Sequence, residues 1–238
     1  MISADAVVLC GGPGRRLREA VPDRPKPLAE VAGRPFLDIL LDYAAGFGLR
    51  RFILCAGYKG EQIEEHCARG ARPGREVLVS IEAEPLGTAG AIKNAAALIR
   101  TSPFLVLNGD SLCRADLGAF WTFHQGRGGR ASVVLAPPEA GDDYGAASLD
   151  CEGRLTAFAE KSAAGPGRLI NAGIYLFAAA VLADIPAGRA SSLERDLLPG
   201  LARAGQAWGW PVPERVVDIG TPRRYAQAQA RLRPGDRP

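Results

Sequence analysis

Residues 11–18 read Gly11-Gly12-Pro13-Gly14-Arg15-Arg16-Leu17-Arg18, and Lys26 follows between Pro25 and Pro27. Glycines let backbone N–H groups approach an anion closely, and successive N–H groups form a concave anion site. Three arginines beside the glycines add positive charge. The prolines stiffen the chain around Lys26, so its amine projects from a restricted segment and could face a polyphosphate. A plain tight turn and an exposed surface lysine are the alternatives for each piece taken alone. Two familiar phosphate loops are excluded. A Walker loop ends in Gly-Lys-Ser/Thr, which is absent, and a dinucleotide fingerprint needs a third glycine where Leu17 stands.

Two carboxylates complete the candidate chemistry. Asp110 closes the turn Asn108-Gly109-Asp110 after an apolar run, and Asp218 stands in a similar strand-end setting. Each alone reads equally as a turn residue or a helix cap. Beside a phosphate loop they suggest hard oxygen ligands for Mg²⁺, which favours carboxylates, water and substrate phosphates. The five cysteines contain no Cys-x-x-Cys, and His66 and His124 lack metal-ligand spacing. They read as thiols of a reducing cytoplasm rather than a zinc site.

These residues need a scaffold. In the first half, short apolar runs at 6–10, 51–56, 77–81 and 104–107 read as strands. Amphipathic stretches at 36–45, 61–69 and 88–100 read as helices. This alternation implies an α/β fold with a mostly parallel sheet and helices on both faces. Ligands then bind beyond the carboxyl ends of the strands. The glycine loop and the Asn-Gly-Asp turn are expected to open onto that edge. The second half predicts strands at 131–135, 146–149, 155–160, 170–177 and 216–218. Helices are expected at 178–185, 193–204 and 223–232. One domain over 1–233 with a frayed tail at 234–238 is the expected organisation.

The 238 residues are 47% hydrophobic and 23% charged, with a net charge of only +3. That balance is globular and argues against a dedicated nucleic-acid binder. No apolar run approaches a membrane span, and no signal peptide is recognised. Homo-oligomerisation is left open.

The motifs, taken in order, resemble the GGxGxRL…PKPL signature of sugar-phosphate nucleotidyltransferases. The similarity runs from the glycine loop and Arg24-Pro25-Lys26-Pro27-Leu28 through Leu86-Gly87-Thr88-Ala89-Gly90 and Asn108-Gly109-Asp110. It continues with Glu160-Lys161, Asn171-Ala172-Gly173 and Asp218-Ile219-Gly220-Thr221-Pro222. It covers nearly the whole chain and implies a Rossmann-like nucleotidyltransferase fold with a mixed, mostly parallel sheet.

The resemblance also implies roles. Gly11, Gly12, Gly14, Gly87 and Thr88 would line the nucleotide pocket. Arg16 and Lys26 would be catalytic, stabilising the triphosphate and the phosphate near the reacting phosphorus. Asp110 and Asp218 would hold Mg²⁺. Tyr144, Gly145, Glu160, Lys161 and Asn171 would bind the sugar 1-phosphate, Lys161 at its phosphate and Glu160 at its hydroxyls. The family often carries a small hydroxyl residue where Arg15 stands, so no phosphate contact is carried over to Arg15.

A sugar 1-phosphate is an ionised nucleophile near neutral pH. Its attack on the α-phosphorus of a triphosphate needs positioning and cations rather than a general base. Gly33-Arg34-Pro35-Phe36-Leu37, Ala56-Gly57-Tyr58-Lys59, Asn171-Ala172-Gly173-Ile174-Tyr175 and residues 192–199 look most like D-glycero-D-manno-heptose 1-phosphate guanylyltransferases. This implies GTP and that heptose as substrates. A mannose guanylyltransferase and a thymidylyl- or uridylyltransferase for another sugar are the alternatives within the class. Outside it stand a non-catalytic nucleotide-sugar-binding regulatory subunit and a plain dinucleotide-binding module.

Overall fold

The computed structural model describes residues 1–139, 145–159 and 169–232. Its elements in chain order are β1 (Asp5–Cys10), the hairpin β2 (Glu30–Val31) and β3 (Arg34–Pro35), α1 (Phe36–Gly46), β4 (Arg51–Ala56), α2 (Gly60–Arg69), β5 (Glu76–Ile81) and α3 (Gly87–Asn94). Then come β6 (Phe104–Asn108), β7 (Ser111–Cys113), α4 (Leu117–Arg127), β8 (Ala131–Ala136), β9 (Ala146–Leu149), β10 (Leu155–Ala159) and β11 (Leu169–Phe177). The chain continues with α5 (Leu198–Arg203), β12 (Ala207–Pro211), β13 (Val216–Asp218) and α6 (Pro222–Arg231).

A nine-stranded sheet runs β10-β9-β11-β6-β1-β4-β5, with β8 branching from β11 and β12 pairing with β8. Strands β6, β1, β4 and β5 are mutually parallel. Strand β11 runs antiparallel to β6, β8 and β9, so the sheet is mixed. The central strands are buried on both faces, which is why they read as unbroken apolar runs rather than alternating ones. One core cluster holds Leu37, Leu40, Ile63 and Phe120 from α1, α2 and α4. The other, separate cluster holds Ala89, Ile92, Leu198 and Leu201 from α3 and α5. Among the described residues, no helix is long and apolar enough to cross a membrane.

Three expected helices differ from those observed. The stretch expected at 88–100 stops at Asn94 and continues as a single 3₁₀ turn. The buried Asp5–Arg51 pair captures its end: Arg51 donates to Leu98 O, while the Arg100 and Thr101 amides donate to Asp5. The stretch at 178–185 is a 3₁₀ helix, Ala179–Ala183. The stretch at 193–204 opens as a π-helical turn, Leu193–Leu197, before α5. Asp196 folds back onto the Ser192 amide, and Pro199, with no N–H, sits in the first turn of α5. The expected tail at 234–238 lies outside the described residues.

Candidate active site

β1 and β6 lie side by side and parallel, so the loops that leave their carboxyl ends meet. The Gly109 amide donates to Leu9 O at 3.0 Å, fastening the Asn-Gly-Asp turn to the end of β1. Between them lies a cavity of about 260 Å³. Its lining includes Gly11, Gly12, Lys26, Glu82, Gly87, Thr88, Asn108 and Asp110.

The glycine loop is open at one end and anchored at the other. Gly14 adopts φ +58° and the Leu17 amide closes a turn on Gly14 O. Leu17 is 2% exposed, whereas Arg15, Arg16 and Arg18 on either side of it are exposed. Arg18 stacks over the Tyr58 ring at 4.1 Å. Arg16 lies close enough to Lys26 for its charge to oppose protonation of the amine.

Lys26 joins the carboxylates. Its Nζ donates to Asp110 Oδ2 at 2.5 Å. Strand β13 pairs antiparallel with β7, placing Asp218 opposite Ser111, and the Ile219 amide bonds Asp110 O. That pairing brings Asp218 to Asp110 across a long sequence gap. A Cβ built on Gly220 would lie 3.0 Å from Asp218 Oδ1 and 3.4 Å from Lys26 Nζ, so the three charged groups share one small volume. Burial alone would lower the Lys26 pKa, but the bonded Asp110 carboxylate outweighs it and the net direction is up. Burial, then the charge of Asp110, pushes Asp218 up to about 6, against the Gly220 amide, Lys26 and Arg224. Arg224, at the start of α6, stands 3.6 Å from Asp218 Oδ1.

The opposite wall is the start of α3. Thr88 does not cap this helix. Its hydroxyl donates to Glu194 at 3.0 Å and accepts from the Leu193 amide. The Ala89 and Gly90 amides are both bonded to Ser191 O, so neither is open to an anion. Gly87 has φ +71°, and a Cβ there would sit 2.6 Å from Ser191 O. Gly87→Ala is therefore expected to lower stability by about 1–3 kcal/mol through backbone strain and overlap. It should also raise the KM for nucleotide by displacing the cavity wall. Thermal unfolding and steady-state kinetics would show this, and an unchanged Tm with an unchanged KM would refute it.

The chain has the sequence pattern of one family over most of its length: the nucleotidyl transferase profile matches residues 5–234. It belongs to the nucleotidyl transferase family. Over 232 residues this family member is 39% identical to the mannose-1-phosphate guanylyltransferase of Mycobacterium tuberculosis, a match covering 96% of this chain and 64% of that protein. Over 228 residues it is 33% identical to the D-glycero-alpha-D-manno-heptose 1-phosphate guanylyltransferase of Aneurinibacillus thermoaerophilus, covering 96% and 98%. The solved structure of HddC from Yersinia pseudotuberculosis complexed with GMP-PN superposes with a TM-score of 0.81 at 31% identity, covering 96% and 99%. The chain spans less than two thirds of the length of the mannose-1-phosphate relatives.

Of the sugar-side residues expected in this nucleotidyl transferase family member, Tyr144, Glu160 and Lys161 lie outside the described residues. Gly145 O accepts the Asn171 amide at 2.9 Å, so these two adjoin. The Asn171 side chain is turned inward: Nδ2 donates to Tyr175 OH at 2.6 Å and Oδ1 accepts from the Gly173 amide at 3.0 Å.

Sequence reasoning missed Glu82. Its carboxylate lies against backbone, and Oε1 would be 2.7 Å from a Cβ on Gly11 and 2.6 Å from one on Gly57. Oε2 accepts from the Leu86 amide at 3.2 Å. Burial raises its pKa, partly opposed by that amide. An acidic residue after a strand carries no spacing signal. Only the parallel pairing of β1, β4 and β5 brings three loops together around it.

Proposed function

We propose that the chain transfers a guanylyl group from GTP to a manno-configured sugar 1-phosphate, releasing pyrophosphate, with D-glycero-D-manno-heptose 1-phosphate the preferred acceptor. The observation that carries the guanine assignment is the Glu82 carboxylate in the cavity wall. Guanine presents two adjacent donors, N1–H and the 2-amino group, and an ionised carboxylate accepts both. Uracil and thymine present a carbonyl oxygen there beside a single N–H, which a carboxylate repels. The guanylyl names of the two relatives agree with this reading.

The sugar phosphate oxygen attacks the α-phosphorus, a P–O bond forms, and the bond to pyrophosphate breaks. Gly11, Gly12 and Gly14 keep the loop backbone open to the triphosphate. Arg16 offsets charge that spreads over the α-phosphate and the leaving pyrophosphate. Lys26 holds the phosphate beside the reacting phosphorus, which requires it to exchange Asp110 for the nucleotide. Gly87 and the backbone of Thr88 shape the base and ribose wall. Tyr144, Gly145, Glu160, Lys161 and Asn171 are assigned to the sugar side.

Two converging carboxylates, Asp110 and Asp218, match the donor set Mg²⁺ takes when phosphates and water complete its shell. Among the described residues no group of three or more Asp, Glu, His or Cys side chains is placed to hold a metal ion, so these alone offer no complete cage. The ion, once bound, supplies charge neutralisation on the triphosphate. All five cysteines are free thiols, which supports a cytoplasmic setting.

Purified protein supplied with four triphosphates and with heptose, mannose and glucose 1-phosphates is expected to release pyrophosphate fastest with GTP and heptose 1-phosphate. Mannose 1-phosphate is the second acceptor, given the 39% identical relative. Dominant turnover with UTP or dTTP, or with glucose 1-phosphate, would sink the substrate assignment. Glu82→Gln exchanges two acceptors for one acceptor and one donor. It is expected to cut kcat/KM for GTP roughly 100-fold and to raise the UTP-to-GTP ratio at least about tenfold. An unchanged ratio would remove Glu82 from base selection.

A further inference from the structure

Residues 11–25 join β1 to Lys26 without a strand or helix, a length of irregular chain that folds keep mainly where they bind something. Among residues 12–24 only Leu17 and, at its margin, Val21 join the core cluster. Arg15, Arg16 and Arg18 are exposed and repel one another, which favours opening of the loop. Residues 58–62, at the start of α2, hold it at points spread along its length. The Tyr58 amide donates to Gly11 O at 3.4 Å. The Tyr58 ring stacks against the Arg18 guanidinium at 4.1 Å. Lys59 Nζ donates to Pro22 O at 3.1 Å, and Gln62 Nε2 donates to Asp23 O at 3.3 Å.

Arg18 carries this hold inward. Its Nε donates to Pro13 O at 3.1 Å, so its side chain closes a ring of chain from Pro13 to Arg18 with Arg16 inside it. Stacking on Tyr58 fixes the guanidinium that makes the closure. Lys59 takes φ +53° and ψ 39°, a left-handed backbone that costs a lysine energy and a glycine none. Strain of this kind persists where surrounding contacts over-determine it, and the Lys59 bond to Pro22 O is such a contact.

We propose that Tyr58 and Lys59 are positioning residues that strap the glycine loop to the start of α2, and that Tyr58 acts on Arg16 through Arg18. Their role needs no contact with substrate. Tyr58 works through the face of its ring, Lys59 through its amine. Together they keep the Pro13–Arg18 ring in one shape before the triphosphate arrives, so that Arg16 is not ordered at the expense of binding. The inference rests on the transferase reading for the part Arg16 plays. A guanidinium on a partly exposed aromatic face shifts a local equilibrium by roughly two- to fivefold, so the expected losses are modest and must be read by their pattern.

The test has two arms. The first measures kcat/KM for pyrophosphate release with the pair the wild type prefers. Tyr58→Ala is expected to lose about 3- to 10-fold, and Tyr58→Phe, which keeps the ring, less than about twofold. In an Arg16→Ala background the Tyr58→Ala loss should shrink to less than about twofold, because the group it positions is gone. Lys59→Gly is expected to lose about two- to fivefold while its Tm is no lower than that of wild type, since glycine accepts this backbone. The second arm needs no activity. Trypsin, in the absence of nucleotide, should cut after Arg15, Arg16 and Arg18 at least about threefold faster in Tyr58→Ala and Lys59→Gly than in wild type and Tyr58→Phe, read by mass spectrometry. Equal cutting rates in all four proteins would overturn the strap. A Tyr58→Ala loss that persists undiminished without Arg16 would overturn the action through that residue, and Tyr58→Phe as impaired as Tyr58→Ala would overturn the role of the ring. A fall in Tm in step with the activity of Lys59→Gly would make Lys59 structural only. Wild type that releases no pyrophosphate from any pair would count against the transferase reading instead, and the cutting rates would still decide the strap.

Discussion

Asp110→Asn and Asp218→Asn are each expected to lower kcat by about a thousandfold or more, a loss of about 4 kcal/mol of transition-state stabilisation, while the fold persists. The two carboxylates meet only because β13 pairs with β7, and both face Lys26. Neutralising either one removes half of the charged donor set that would hold the cation.

The stability of the Asp218 variant should move in the opposite direction. The folded pKa of about 6 lies above the ordinary 3.8, so the native state holds this proton more tightly than the unfolded chain does. The stabilisation that the proton confers is complete below about pH 4 and is lost as pH rises through 6. At neutral pH the ionised group costs about 3 kcal/mol. Asp218→Asn mimics the protonated form and is expected to raise Tm at pH 7–8, with the gap closing toward pH 4. A variant with near-normal turnover would end the metal assignment, and a Tm lower than wild type at pH 8 would refute the electrostatic account.

Arg16→Ala is expected to lower kcat about 100- to 1000-fold with little change in KM. The guanidinium is exposed on the loop beside Lys26, and in the proposed reaction the charge it would answer grows as pyrophosphate departs. Arg16→Lys should restore little, because a compact ammonium lacks the planar fork that spans two oxygens. A rise in KM alone would make Arg16 an ordinary binding residue.

Most of the parallel half of the sheet was legible because β1, β4 and β6 are buried on both faces and read as uninterrupted apolar runs. The convergence of the glycine loop with Asp110 follows from that, since parallel neighbours release their loops at one edge. Elements whose sequence lacks a period were lost. Ala207–Pro211 contains two tryptophans separated by glycine and ends in proline, yet it forms β12 because β8 supplies the ladder. Helix α4 has apolar and aromatic residues around most of its circumference, with Phe120 buried and Trp121 and Phe123 packed at its margin, so no face stands out. The surroundings of Glu82 and Glu194 were invisible for a different reason. Only the fold sets what each carboxylate meets: Gly11 and Gly57 for one, Tyr175 and Thr88 for the other.

The buried Leu17 fixes a length rather than a composition. With its side chain in the core and its amide closed on Gly14, it works as a nail driven through the far end of the loop. Arg15, Arg16 and Arg18 project beside that nail, Arg18 held against the Tyr58 ring. Exchanging Arg15 for another residue alters one of them. Inserting or deleting a single residue between Gly14 and Leu17 would rotate all of them to a new bearing, so this stretch should vary in its letters far more readily than in their number.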